Sequence, residues 1–141
     1  MIDAHKLRLA TEAEWELAAR DNGQSSYPWG DDEWNSWRAN INRSGIGDPT
    51  PVGIYSSGAT RKGLHDMAGN VLGWTLSSYK KYPYQAQVNE LRSNEPRTVR
   101  GGSWANEARA MRCASRLGLQ PDSENGFLGF RVVISRNENI F

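Results

Sequence analysis

Hydrophobic and polar positions follow a helical period in one stretch only. In LATEAEWELAAR (Leu9–Arg20), Trp15, Ala18 and Ala19 recur at i, i+3 and i+4 between charged residues. Thr11 is a favourable N-cap, and Glu14 stands where a capping-box partner belongs. Ala10 and Trp15 occupy the hydrophobic-staple positions, and Glu12, Glu14 and Glu16 lie towards the positive helix end, with Arg20 at the other. The pattern predicts a helix from about Glu12 to Arg20. Beyond Asn22-Gly23 the period disappears. Residues 23–60 carry Pro28, Pro49, Pro51 and six glycines, which predicts turns joined by short extended pieces. Strands are predicted at Thr98–Arg100, Met111–Ser115 and Gly129–Ser135, followed by a polar tail at 136–141.

The stretch GLHDMAGNVLGWT (Gly63–Thr75) fits neither period. It is too rich in glycine for a helix and too apolar for an exposed loop. Trp29, Trp34, Trp37 and Trp74 also stand in irregular regions, and burying one aromatic side chain is worth roughly 1.5–3 kcal/mol. Ordered loops packed over a small sheet and pinned by tryptophans would reconcile these facts, which makes the expected class α+β.

A length of 141 residues means one domain, and 38% hydrophobic with 23% charged residues is ordinary for a globular chain. A net charge of +1 gives no general attraction to nucleic acid or an anionic membrane. No apolar run approaches a membrane span, and the N-terminus lacks the apolar core of a secretion signal. The single cysteine, Cys113, excludes an internal disulfide and points to a reducing, cytoplasmic compartment. His5 and His65 are too few for a histidine-rich metal site; His5 reads as solvated and His65 as a packing residue.

Several motifs then fall in order: RLATEAEWELAAR at Arg8–Arg20, YPWGDD at Tyr27–Asp32, RAN at Arg38–Asn40 and TPVGIY at Thr50–Tyr55. GLHDMAGNVLGWT, VRGGSWAN at Val99–Asn106 and LGFRVV at Leu128–Val133 complete the series. Together they resemble the formylglycine-generating enzyme (sulfatase-modifying factor) family over nearly the whole chain. The resemblance implies a C-type-lectin-like α+β fold: a short helix, a small twisted antiparallel sheet and much ordered loop. It makes Gly63–Thr75 a tightly turned core segment in which Asp66 and Asn70 bond nearby main chain and Trp74 fills the core.

The oxidase members of that family hold copper(I) with a cysteine pair just after GGS. Here Asn106 takes the first cysteine's place, the second falls in a shortened loop, and Cys113 aligns with a structural strand position. An amide does not replace a thiolate towards a soft metal, so the resemblance argues against copper-dependent oxidation. Iron-dependent relatives draw histidines from a separate helical domain not present in this sequence. A structural Ca²⁺ site would map to the Asp66 side chain and the Gly69 and Val71 carbonyls. Its second carboxylate is Gly73 here, leaving a weak calcium site or a turn-capping Asp66. Another oxygen cluster could form around Asn40, Ile41 and Asp48.

Ser103, Trp104, Asn106, Glu107, Arg109, Arg112 and Arg116 lie where relatives place their binding groove, and are the candidate ligand-binding residues for a protein or small molecule. Arg112 and Arg116 read equally as internal salt-bridge partners, and Trp104 as half core. The acidic turn Asp31–Trp34 is either solvated or one wall of that groove. Variable proteins of diversity-generating retroelements share the fold and vary the region matching Ala105–Phe127, which gives a third reading. Family domains also carry a substantial portion before the helix, including a strand that pairs near the C-terminal one. A reduced front half would leave GFRVVIS with an open edge, inviting a homodimer or a strand-donating partner chain.

Overall fold

The computed structural model describes residues 6–21, 23–84 and 94–135. Strand β1 (Lys6–Leu9) leads into helix α1 (Glu12–Ala19), and long loops then run to β2 (Leu72–Ser78). Strands β3 (Arg97–Arg100), β4 (Arg116–Leu119), β5 (Leu128–Phe130) and β6 (Val132–Ser135) follow. One four-stranded sheet has the order β4-β3-β2-β5, and β1 pairs with β6 in a separate two-stranded ribbon.

The helix starts as its sequence predicts. Thr11 Oγ1 accepts the Glu14 amide at 3.2 Å, while Glu14 Oε2 accepts the Thr11 amide at 2.8 Å. Arg8 grips the same carboxylate with two bonds of 2.7 Å, and these, with the Thr11 bonds, bring the Glu14 pKa down to about 2. Trp15 and Ala19 are buried with Ala10, Met67 and Cys113, and Val133 of β6 packs on this cluster. A second cluster, Ala39, Ile41, Ala68 and Met111, gathers the loops, with Tyr27, Trp29 and Trp34 against it. No helix of the described residues is long and apolar enough to cross a membrane.

Several expectations need correction. The sheet is mixed rather than wholly antiparallel, because β5 runs parallel to β2 after the chain has crossed through β3 and β4. The stretch Met111–Ser115 is not a strand: Ala108–Met111 is a 3₁₀ turn, and the strand begins at Arg116. Met111 and Cys113 are buried while Arg112 and Ala114 are exposed, so an irregular turn imitates strand alternation. Gly129–Ser135 breaks at Arg131 into β5 and β6, which belong to different sheets. Arg131 Nη2 donates to the His65 and Asp66 carbonyls at the break.

Two further strands were absent from the sequence prediction. One is β1, which precedes the helix and pairs residue for residue with β6, Leu7 opposite Ile134 and Leu9 opposite Val132. The C-terminal strand is therefore partnered on one side by the chain's own N-terminal strand. The other is β2, whose ladder bends where the Leu76 amide leaves β3 for the Ala10 carbonyl, 2.8 Å away. Trp74 does not fill the core. Strand alternation puts Gly73 against the Trp15 indole and leaves Trp74 half-buried on the other face. Trp37 is 76% exposed, contrary to the burial expected of the loop tryptophans. The predicted tail at 136–141 and His5 lie outside the described residues.

Candidate functional site

The loop Gly63–Val71 and the turn Gly101–Asn106 are tied back to back. Asn70, buried and in the left-handed region at φ 63°, accepts the Thr50 amide on Oδ1 at 2.8 Å and donates from Nδ2 to the Thr50 carbonyl at 3.0 Å. Its main chain donates to Asn40 and accepts from Trp104, each at 2.9 Å. The Gly69 amide donates to the Gly101 carbonyl at 2.8 Å. A Cβ on Gly69 would sit 2.5 Å from the Asn40 carbonyl oxygen, so only glycine permits this approach. The anomalous stretch is therefore a main-chain hub, as the turn reading expected.

In front of the hub lies a groove of about 590 Å³ between the 106–112 turn and the ends of β3 and β4. Asn106, Arg109, Arg112 and Arg116, all candidates from the sequence, line it together with apolar Leu72, Ala110 and Leu117. The other candidates fall around it. Ser103 is buried, and both its amide and its hydroxyl donate to Asn106 Oδ1, at 3.0 and 2.8 Å. Trp104 is half-buried, its indole donating to the Gly126 carbonyl at 3.3 Å. Glu107 sits on the surface, 3.4 Å from Arg109.

Behind the groove is a charge cluster that the sequence did not reveal. Glu12, almost fully buried at the start of α1, takes Arg116 in a two-pronged pair, Nε to Oε1 at 2.5 Å and Nη2 to Oε2 at 2.7 Å. Arg100 Nη1 reaches Glu12 Oε1 at 3.3 Å, and Nη2 bonds Glu16 and the Cys113 carbonyl. Tyr84 donates to Glu12 Oε2 at 2.9 Å. Burial pushes the Glu12 carboxyl towards its neutral form. The Arg116 and Tyr84 hydrogen bonds and the two guanidinium charges outweigh that and hold its pKa below the ordinary value. The Arg116 guanidinium also stacks against Tyr79, Tyr82 and Tyr84, 4.9, 4.1 and 5.7 Å from the ring centroids. Burial, with the bond to Glu12, raises the Tyr84 pKa to about 12. Arg116 is thus an internal salt-bridge partner that also lines the groove. Arg112 is exposed and, among the described residues, makes no side-chain ion pair.

Residues 3–136 match the family model described as the Sulfatase-modifying factor enzyme 1-like domain. The chain belongs to that family. It is 36% identical over 135 residues to the hercynine oxygenase of Mycobacterium tuberculosis, covering 89% of this chain and 32% of that protein. It is 32% identical over 143 residues to the inactive C-alpha-formylglycine-generating enzyme 2 of Mus musculus, covering 91% of this chain and 43% of that one. Among solved structures, Treponema denticola variable protein 1 superposes with a TM-score of 0.74 at 27% identity, over 94% of this chain and 49% of that one. The chain thus spans less than half the length of each of these relatives.

Against the sulfatase-modifying factor family, the donor atoms can be tested for metals. Asn106 Oδ1 is engaged by Ser103, and the only cysteine of the sequence is buried, its thiol pushed up to about 11 by burial. A protonated thiol in an apolar core is a packing group, as the sequence reading preferred, and does not fit a copper(I) ligand. Among the described residues no three His, Cys, Asp or Glu side chains converge on a common point. Asp66, at φ 54°, accepts the Gly53 amide on Oδ2 at 2.7 Å, and Gly73 brings no second carboxylate. The set Asp66, Gly69 and Val71 thus fits Ca²⁺ poorly, and Asp66 caps a turn. Asn40 directs Nδ2 to the Asp48 carbonyl at 2.9 Å, an internal bond in the second candidate oxygen cluster. The acidic turn is a solvated one: Asp31 accepts the Ser26 amide at 2.8 Å and Asp32 pairs with Arg38 at 2.8 Å.

Proposed function

We propose that this chain is a non-catalytic binding domain of the sulfatase-modifying factor family, taking a protein, peptide or small molecule on the face built by residues 103–116. One observation carries the reading: the position of the first oxidase cysteine is Asn106, whose carbonyl oxygen is closed into the Ser103 turn. The competing reading is an oxidoreductase or accessory subunit acting on a cysteine or sulfur substrate, which the likeness to hercynine oxygenase favours. The two differ in a simple assay. With copper(I), or with Fe²⁺, and a thiol peptide, the purified chain is expected to add nothing to the background oxygen uptake. Uptake that depends on the chain would overturn the non-catalytic reading. Arg112→Ala and Trp104→Ala are expected to weaken ligand capture while circular dichroism is unchanged, as a purely structural module would not require.

Similarity to Treponema denticola variable protein 1 supports a further reading, in which residues 105–127 form a recognition segment that differs between sibling copies. For association, the β1–β6 ribbon is the favoured surface. Among the described residues its outer edges carry no ladder, and Leu7, Val132 and Ile134 are exposed on one face. Two copies meeting there would form an isologous dimer. Light scattering at high concentration is expected to give a two-chain mass that falls to one chain in Ile134→Lys; a single-chain mass throughout would exclude this dimer.

A further inference from the structure

The groove has an uneven charge. Four guanidinium-bearing residues line it (Arg100, Arg109, Arg112 and Arg116), and among the described residues no carboxylate does. Two of these cations are already matched from behind, Arg116 by Glu12 and Arg100 by Glu12 and Glu16. The other two are not held in that way. Among the described residues Arg109 pairs only with Glu107, at 3.4 Å and with side chains 86% and 64% exposed, a contact that solvent largely screens. Arg112 has no carboxylate partner among the described residues.

The turn that carries both arginines is fixed before any ligand arrives. Ser115 donates from its hydroxyl to the Arg109 carbonyl at 3.0 Å and from its amide to the Arg112 carbonyl at 2.9 Å. Met111, between the two arginines, is fully buried and packs against Gly102. Asn106 adds a donor: its Oδ1 is taken by Ser103, whereas its Nδ2 donates to nothing among the described residues. Leu72, Ala110 and Leu117 supply apolar wall, and about 590 Å³ is a volume suited to a small organic molecule.

We infer that this groove binds a small organic oxyanion, a carboxylate or phosphate on a short apolar body, with Arg109, Arg112 and Asn106 Nδ2 meeting the charged head. The inference rests on the binding-domain reading and specifies the ligand chemistry of that same face. Planar guanidinium forks recognise such oxyanions with two parallel hydrogen bonds, and charge-assisted bonds are the stronger kind. A cationic ligand would instead face uncompensated positive charge.

The test uses probes of one shape and different heads: 3-phenylpropionate, phenyl phosphate, 3-phenylpropionamide and 3-phenylpropylamine. Each is titrated into the ¹⁵N-labelled full chain while main-chain and arginine Nε–H resonances are followed. The two anions are expected to saturate shifts at residues 106–117, and relative affinity shows which head is preferred. Binding is expected to weaken about ten- to a hundredfold in Arg112→Gln. It should weaken again near 1 M salt, where the screening length is ~3 Å. Arg61→Gln, on an exposed side chain that pairs with Asp21, should leave it unchanged. Equal binding of the amide or amine, unchanged affinity in Arg112→Gln, shifts mapping elsewhere, or no binding by either anion would each overturn the oxyanion site. Equal binding of the neutral amide would leave the binding-domain reading standing, whereas chain-dependent oxygen uptake would remove that reading and leave anion binding intact.

Discussion

Glu12→Ala is expected to destabilise the chain by ~3–5 kcal/mol, the loss typical of a buried pair deprived of one partner. The side chains of Glu12 and Arg100 are 1% and 0% exposed, so water does not replace the missing carboxylate. Arg116 would lose both of its bonds to that carboxylate, and Tyr84 its acceptor. For a domain whose whole stability is of order 5–15 kcal/mol, such a loss leaves little margin. A urea midpoint close to that of the unaltered protein would refute the role assigned to Glu12. Glu33→Ala, on an exposed loop, is the matched control, with an expected change within about 0.5 kcal/mol. The sign of the pH dependence follows from the same groups. Glu12 and Glu14 both have lowered folded-state pKa values. Their contribution is complete above the ordinary carboxylate range and is lost as pH falls, for Glu14 between 4.5 and about 2. In Glu12→Gln the acid limb should be shallower than in the unaltered chain.

Gly69→Ala is expected to be the most damaging glycine substitution in the central hub. The residue adopts φ 75°, and an added methyl would lie 2.5 Å from the Asn40 carbonyl and 3.0 Å from the Ala39 Cβ. That oxygen also accepts the Asn70 amide, so it does not yield without breaking the knot that positions Trp104. Gly63→Ala separates conformation from contact: it has φ 79° but nothing within 4 Å of its added methyl. It should cost only about 1 kcal/mol, the left-handed penalty alone. The checkable outcome is the difference between the two thermal midpoints. Similar midpoints would show that the close approach at Gly69 matters little.

The motifs between Arg8 and Val133 carried the family and the fold class, because each encodes a local event: a cap, a forced turn, a close main-chain approach. The groove was partly legible for the same reason. Asn106, Arg109, Arg112 and Arg116 lie in one short segment, and the local turn brings them together. The acidic side of Arg116 was not legible. Glu12 looked like an ordinary first-turn glutamate, favourable to the helix dipole and otherwise unremarked. Its one visible signal was an acid set between a cap and a core tryptophan at a helix end that had to pack on a sheet.

Taken alone, the sequence determined the helix with its Thr11–Glu14 cap, the turn chemistry of Asp66, Gly69 and Asn70, the presence of a single cysteine and the family. These depend on residues close together in the chain, where spacing translates directly into geometry. Only the tertiary structure decided that β1 closes on β6, that β5 enters parallel to β2, and that Trp74 and Trp37 stay partly or largely wet. It also decided which of the described arginines are held by buried carboxylates. Glu12 meets Arg100 and Arg116 across 88 and 104 positions of sequence. Pairing over such separations is set by how the sheet and loops pack together, which no local pattern records.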